Sequence, residues 1–193
     1  MYMNSDLVSA AVNDSRRRAE QLMIGLSNEQ LSRRPDPSSW SIAECIKHLN
    51  LTGGLVQHIA KKAIAGVRPE TPKGNGPYKL GARGRILVWV AEPPPKFSIR
   101  APKSVAPTME IPDPTQLLPE FMAVQDGWQR LMKDNEGIDL SKIKLGTFFS
   151  PFRCQLSGGI MWMMAHQRRH LCQAEKVKAE IVTAAYGDKA MSA

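Results

Sequence analysis

A long amphipathic helix begins at the stretch S-I-A-E-C-I-K-H-L, which occupies residues 41–49. Ser41 and Glu44 have the S-x-x-E spacing of a capping box, in which each side chain pairs with the backbone of the other residue at the start of a helix. Apolar residues then recur at helical spacing until Gly66, a residue type that commonly ends a helix. This pattern predicts a helix over residues 41–65.

The same periodicity predicts three further long helices. Apolar residues recur every three or four positions in each, and capping residues, prolines or glycines mark their ends. Asp6 and Ser157 are the expected N-caps of the first and last helices, and a short S-x-x-Q capping signal begins at Ser27. The Gly53-Gly54 pair inside the second helix marks a bend or a close packing point. The four helices are placed at about 6–26, 41–65, 114–135 and 158–186.

A proline-rich connection separates the second helix from the third. The segment 66–119 holds eleven of the fourteen prolines, which excludes long helices from most of it. Only residues 80–91 can form a short element, and alternating patterns typical of β-strands are absent. Four long helices joined by a long crossover over 67–113 predict an all-α four-helix bundle. We expect one domain spanning 1–193.

The composition excludes several classes of protein. Hydrophobic residues make up 42% of the chain and charged residues 23%, as in ordinary globular proteins. The longest apolar run, 86–91, is far shorter than the roughly 18 residues of a membrane span, and residues 1–18 show no signal-peptide pattern. Three cysteines, Cys45, Cys154 and Cys172, are an odd number without C-x-x-C spacing. Reduced thiols in the cytoplasm are therefore expected.

The chain is basic, with 26 lysines and arginines against 18 aspartates and glutamates and a net charge of +8. The excess is spread along the sequence with only a mild peak at 79–103, and no basic arm, zinc-finger spacing or aromatic-basic RNA-binding motif is present. This distribution argues against nucleic-acid binding. It favours a basic surface that attracts small anionic molecules.

Two of the four histidines, His166 and His170, lie one turn apart in the last predicted helix. Their i, i+4 spacing puts both imidazoles on one face, where they can bind one divalent metal ion or simply lie at the edge of the core. Gln167 stands where a zincin has its catalytic glutamate, so that general base is missing. His48, on a helix that a bundle places beside the last one, would complete a three-histidine site. His58 is turned away around its helix and is not expected to be a ligand.

These histidine segments resemble two motifs of the DinB-like superfamily. W-S-I-A-E-C-I-K-H-L at 40–49 is similar to the family signature W-S-x-x-E-x-x-x-H-L, and H-Q-R-R-H-L-C-Q at 166–173 resembles its H-x-x-R-H-x-x-Q block. The resemblance covers nearly the whole chain and is weakest across 67–112. It implies a four-helix bundle of up-down-down-up topology that binds one divalent metal ion, with nickel, zinc and iron as candidates. The ligands that match by position are His48, His166 and His170.

The resemblance also implies a class of chemistry. The family includes bacillithiol-type S-transferases, relatives of the mycothiol-dependent maleylpyruvate isomerase, and proteins labelled metal-dependent hydrolases. A DinB-like metal-dependent enzyme is therefore the leading hypothesis, with the ion activating a low-molecular-weight thiol cosubstrate or water for attack on a small, anionic substrate. The alternative is a non-catalytic metal-binding or stress-response module.

Polar residues beside the histidine triad, which consists of His48, His166 and His170, are candidates for supporting roles. Each also has a purely structural explanation. Glu44 could orient His48, although its capping box already explains it. Arg169 could hold an anionic group or pair two helices, and Gln173 could hydrogen-bond a bound water or the substrate. Cys45 is expected to be a small buried residue rather than a sulfur ligand.

The crossover also bears on assembly. Its run I-L-V-W-V at 86–90 is too concentrated to be left in water, so it either covers the open end of the bundle or packs against a second copy. We predict a two-fold homodimer, the commonest assembly of soluble chains. In a monomer, Trp89 would instead pack within its own subunit, over the crevice that holds the metal ion.

Overall fold

The structure, a computed structural model, describes residues 1–67, 72–97, 100–107, 113–146 and 153–191, with side chains described as far as residue 183. The chain is mostly helical, as the all-α prediction requires. The helices are α1 (Ser5–Met23), α2 (Asn28–Ser32), α3 (Ile42–Ala65), α4 (Gly81–Ala91), α5 (Leu117–Lys133) and α6 (Leu156–Met191). A 3-10 turn, Pro114–Gln116, leads into α5.

Among the described residues, four short strands accompany the helices, although no alternating pattern in the sequence indicates them. They are β1 (Tyr2–Met3), β2 (Tyr78–Lys79), β3 (Lys144–Gly146) and β4 (Arg153–Gln155). β1 pairs with β2, and β3 with β4, both antiparallel. Segments of two or three residues are too short to show an alternating pattern, and the partner of β1 lies far along the chain in β2.

The helix starts confirm some of the predicted caps and correct others. The Ser41 hydroxyl accepts a hydrogen bond from the Glu44 amide at 3.1 Å, and the Glu44 carboxylate accepts one from the Ser41 amide at 2.9 Å, so the capping box of α3 is complete. The N-cap of α1 is Asn4 and not Asp6, since the Asn4 side chain accepts from the Leu7 amide. Both residue types cap well, which explains the shift of two positions.

The start of α6 also differs from the prediction. The helix begins at Leu156, one residue before the expected cap. Ser157 lies inside the helix, and its hydroxyl donates to the carbonyl of Lys79 at 2.7 Å. This hydroxyl therefore ties α6 to β2 and does not cap α6. The loop that contains Pro151 lies outside the described residues.

The long helices pack against each other through one shared core. Both α1 and α3 contact α5 and α6. Trp128 and Phe121 of α5 are the largest fully buried side chains of this core. Gly53 of α3 permits a close approach, because a Cβ there would lie 2.6 Å from a methyl carbon of Val124 on α5. The pairing of α3 with α6 brings together the two segments that carry the predicted metal ligands.

The described part of the crossover packs against α6. Its short element, predicted over 80–91, is confirmed as α4, which contacts α6 extensively. Gly84 and Gly158 lie at the closest approach, where a Cβ on Gly84 would be 2.7 Å from the Gly158 Cα. Arg168 of α6 binds the Glu92 carboxylate through two nitrogens, at 2.9 and 2.8 Å, and fixes the end of α4. Residues 68–71, 98–99 and 108–112 of the crossover lie outside the described residues.

None of the helices in the described part of the chain contains a segment long and apolar enough to cross a bilayer.

Candidate metal centre

Helices α3 and α6 bring the three predicted histidine ligands together. His48 lies in the second turn of α3, and His166 and His170 lie one turn apart on α6. One ring nitrogen of each histidine lies within 4.8 Å of those of the other two. The Nε2 atoms of His48 and His166 are 3.3 Å apart. His58 is exposed and is not part of this group.

Two of the imidazoles are oriented by hydrogen bonds at their Nδ1 atoms. Nδ1 of His48 lies 2.7 Å from the carbonyl oxygen of Val105, which can only accept, so we place the ring proton on this nitrogen. Nδ1 of His170 lies 3.0 Å from the amide oxygen of Gln173 and is assigned in the same way. Each assignment leaves Nε2 with an open lone pair, which is the form in which a histidine binds metal.

Burial keeps the three imidazoles neutral. It lowers the pKa of His48, although the hydrogen bond to Val105 opposes the shift. Burial, followed by the charge on His48, lowers the pKa of His170 to about 3. The pKa of His166 falls well below its usual value because of burial and then the neighbouring imidazoles. All three side chains are therefore uncharged at neutral pH, as metal ligation requires.

The donor set fits a divalent metal ion. Two ligand nitrogens bound at 2.0–2.1 Å with a tetrahedral angle would be about 3.4 Å apart, close to the 3.3 Å between the Nε2 atoms of His48 and His166. Nδ1 of His166 is buried and finds no hydrogen-bond partner among the described residues. Imidazole nitrogen suits zinc, nickel and iron. These three candidates therefore agree with the chemistry of the site.

Two tryptophans pack against the imidazoles. The Trp40 ring lies 4.9 Å from that of His48 and stacks on His170 at 5.6 Å. The Trp162 ring lies 5.1 Å from that of His166. We did not predict either tryptophan as a site residue. The spacing of Trp162, four residues before His166 on one helix face, is the signal that could have identified it.

The triad lines a cavity of about 630 Å³. Besides the histidines, it is lined by the two tryptophans, by apolar residues of α4 and the crossover, by several polar side chains, and by two arginines. No carboxylate is present among the lining residues that the structure describes. The part of the wall that comes from α4 and the crossover consists of Leu87, Val90, Ala91, Arg100, Ala101, Pro102 and Val105.

The predicted supporting residues occupy different positions. Gln173 lines the cavity and bonds to His170, and Arg169 lines it while donating to the carbonyls of Val90 at 3.2 Å and Phe97 at 2.6 Å. Through these hydrogen bonds, Arg169 attaches α6 to the end of α4 and to the segment that follows it. That either residue also contacts a substrate stays a prediction.

Two neighbouring residues of α3 lie outside the cavity lining. Burial raises the pKa of Glu44, but hydrogen bonds from Arg34 and Ser41 outweigh it, so the net shift is downward. The Arg34 Nε donates to Glu44 at 2.8 Å, which makes the carboxylate a buried partner of Arg34 as well as a cap. Cys45 is fully buried, and burial raises its thiol pKa.

Comparison with known proteins identifies one family. A family model described as the DinB superfamily matches residues 11–174, a range that contains all three histidines. No match was found among curated proteins or among solved structures.

Proposed function

Because the chain belongs to the DinB superfamily, we propose that it is a metal-dependent enzyme whose divalent ion is held by His48, His166 and His170. One observation carries the proposal: one nitrogen of each of these neutral imidazoles converges within 4.8 Å in the wall of a cavity. Three protein ligands leave coordination positions open, as in catalytic metal sites and unlike closed structural ones.

The residues of the chain prepare this site in distinct ways. The Val105 carbonyl and Gln173 fix the tautomers of two ligands, while Trp40 and Trp162 hold the imidazoles in place and limit access of water. A divalent ion bound there would supply Lewis acidity, which lowers the pKa of a thiol or water beside it toward neutrality.

Of the two reaction classes, we favour transfer of a thiol cosubstrate over hydrolysis. A free thiol has a pKa near 8.5, whereas water has one near 15.7, so much less help is needed to make a thiolate. A hydrolytic site commonly uses a carboxylate to accept the proton of water. The described lining of the cavity contains none.

We also propose that the long helices form a four-helix bundle of up-down-down-up topology in a single domain. The contacts of α1 and α3 with both α5 and α6 support this arrangement. We further propose that the protein is cytoplasmic and that the bound ion is nickel, zinc or iron.

Elemental analysis of untagged protein, purified without chelator, tests the metal site. We expect about one divalent ion per chain, lost in His48→Ala. His58→Ala is the matched control, because His58 lies on the same helix but is exposed and remote from the triad. Protein grown with ample metal that contains none, or a His48→Ala variant that keeps its ion, would refute the site.

A second measurement separates an enzyme from a binding module. Low-molecular-weight thiols are incubated with electrophilic substrates, and thiol consumption is followed for the wild type and His48→Ala. A catalytic site loses activity and metal in the variant, while the variant keeps its fold and a melting temperature close to that of the metal-loaded wild type. A structural site loses melting temperature along with metal and shows no thiol consumption in either protein.

A further inference from the structure

The charges around the cavity are unbalanced. Two arginines, Arg100 and Arg169, line it, and no carboxylate does so among the described lining residues. The acidic groups nearby are already engaged: Glu92 binds Arg168 at the end of α4, and Asp36 accepts hydrogen bonds from the lining serines 38 and 39. The cavity therefore presents a net positive wall.

The two arginines differ in what they have left to offer. Arg169 uses its terminal nitrogens on the backbone carbonyls of Val90 and Phe97. Arg100 makes no hydrogen bond or ion pair with another described residue, and it is exposed. A guanidinium has five N–H donors in a planar fork that matches a carboxylate. Arg100 is thus the lining cation whose donors remain available to a ligand.

The remainder of the wall suits an apolar ligand body. Trp40 and Trp162 present aromatic surface beside the triad, and Leu87, Val90 and Pro102 line the cavity from α4 and the crossover. A volume of about 630 Å³ accommodates a metabolite-sized molecule, since small-molecule sites span roughly 300–1,000 Å³. The lining thus combines one available cation with a mostly apolar surface.

The geometry points to Arg100 as the residue that determines specificity, binding the carboxylate of a substrate whose apolar or aromatic body lies between the tryptophans and α4. A carboxylate fits better than a phosphate, because its two oxygens match the planar fork of one guanidinium, whereas the additional oxygen of a phosphate monoester would need donors that Arg169 already uses on backbone carbonyls. This inference rests on the proposed function only in taking the cavity as the substrate site. It extends that function by naming the class of substrate.

Calorimetric titration tests the inference with 1-naphthoate as the probe and its neutral isostere 1-naphthamide as the reference ligand. Wild-type protein should bind naphthoate more tightly than naphthamide. Arg100→Gln should weaken naphthoate binding about ten-fold or more and leave naphthamide binding unchanged. Arg85→Gln is the matched control, because Arg85 is an exposed cation of α4 that does not line the cavity.

Three results would overturn the inference: no measurable naphthoate binding by the wild type, equal affinities in the wild type and Arg100→Gln, or tighter binding of 1-naphthyl phosphate than of naphthoate. The titrations are run on metal-loaded and chelated protein, and metal content is measured separately. If the protein binds no metal but its affinity for naphthoate still depends on Arg100, the metal-dependent enzyme is refuted and the carboxylate site is retained. Failure of the proposed function can therefore be distinguished from failure of this inference.

Discussion

At the scale of single residues, burial makes the three imidazoles sensitive to acid. In the folded chain the pKa of each lies below 6.5, and that of His170 is lowered to about 3. In the unfolded chain each imidazole returns to a pKa near 6.5. Below that pH the unfolded state binds protons that the folded state does not, so acid favours unfolding. The stabilisation is complete above about pH 6.5 and is lost as the pH falls toward the folded-state values.

We therefore expect chelated protein to lose stability between pH 7 and pH 5. The free energy of unfolding then falls with a limiting slope of about 1.4 kcal/mol per pH unit for each buried histidine. This slope is reached below the pKa that the histidine has in the unfolded chain. His170→Gln should reduce the slope, because the residue at 170 then no longer titrates. Urea denaturation at several pH values measures it. His58→Gln, which changes an exposed imidazole, should keep the wild-type slope, and an unchanged slope in His170→Gln would contradict the argument.

The sequence was informative about the metal ligands and much less so about their surroundings. The spacing of His166 and His170 and the position of His48 on a neighbouring helix are local features, and the structure places the three together. The Val105 carbonyl that orients His48 comes from 57 residues away. A backbone carbonyl carries no residue-type signal, so its role depends on the path of the crossover and could not be predicted.

At the scale of helices, two adjacent glycines of α3 have opposite surroundings. A Cβ added to Gly53 would lie 2.6 Å from the Val124 Cγ1 on α5, whereas one added to Gly54 meets nothing within 4 Å. Val124 is β-branched and adjusts poorly within a helix. Gly53 is therefore the close packing point between α3 and α5, and Gly54 supplies only backbone freedom, which weakens a helix.

Alanine substitutions should separate these two glycines. Gly54→Ala should raise the free energy of unfolding by about 0.5–1 kcal/mol, because alanine favours a helix interior. Gly53→Ala should lower it, since the clash with Val124 costs about 1–3 kcal/mol and exceeds the same helix gain. Thermal melts of both variants measure the difference. Stabilisation by Gly53→Ala would show that α3 and α5 are not so close.

Helix boundaries were predictable where the end signal is local and specific. The capping box at Ser41 placed the start of α3 within one residue. The start of α1 was less certain because Asn4 and Asp6 are equally suited to cap it, and the structure has Asn4 as the cap. The role of Ser157 depends on the Lys79 carbonyl, which lies far away in sequence.

At the scale of the whole molecule, the described residues include an exposed apolar surface on and after α4. Ile86, Trp89 and Phe97 are 57%, 54% and 54% exposed, and we call them the α4 patch. The rings of Trp89 and Phe97 are 6.2 Å apart, and Lys96 lies 5.5 Å from the Trp89 ring. Trp89 is not among the cavity-lining residues, so it does not cover the metal crevice as a monomer would require.

We expect the α4 patch to pack against the same patch of a second copy. An isologous contact buries each patch once and leaves none exposed, whereas a monomer keeps two large aromatic rings in water. Light scattering at micromolar concentration should give about twice the 21.4 kDa mass of one chain. Trp89→Lys should give the single-chain mass with unchanged helical circular dichroism, because a second cation beside Lys96 cannot be buried there without a counter-charge. Leu7→Lys, at an exposed leucine of α1, is the control and should remain dimeric. A wild-type chain that scatters as 21.4 kDa would refute the dimer, and a dimeric Trp89→Lys variant would show that the interface lies elsewhere on the molecule.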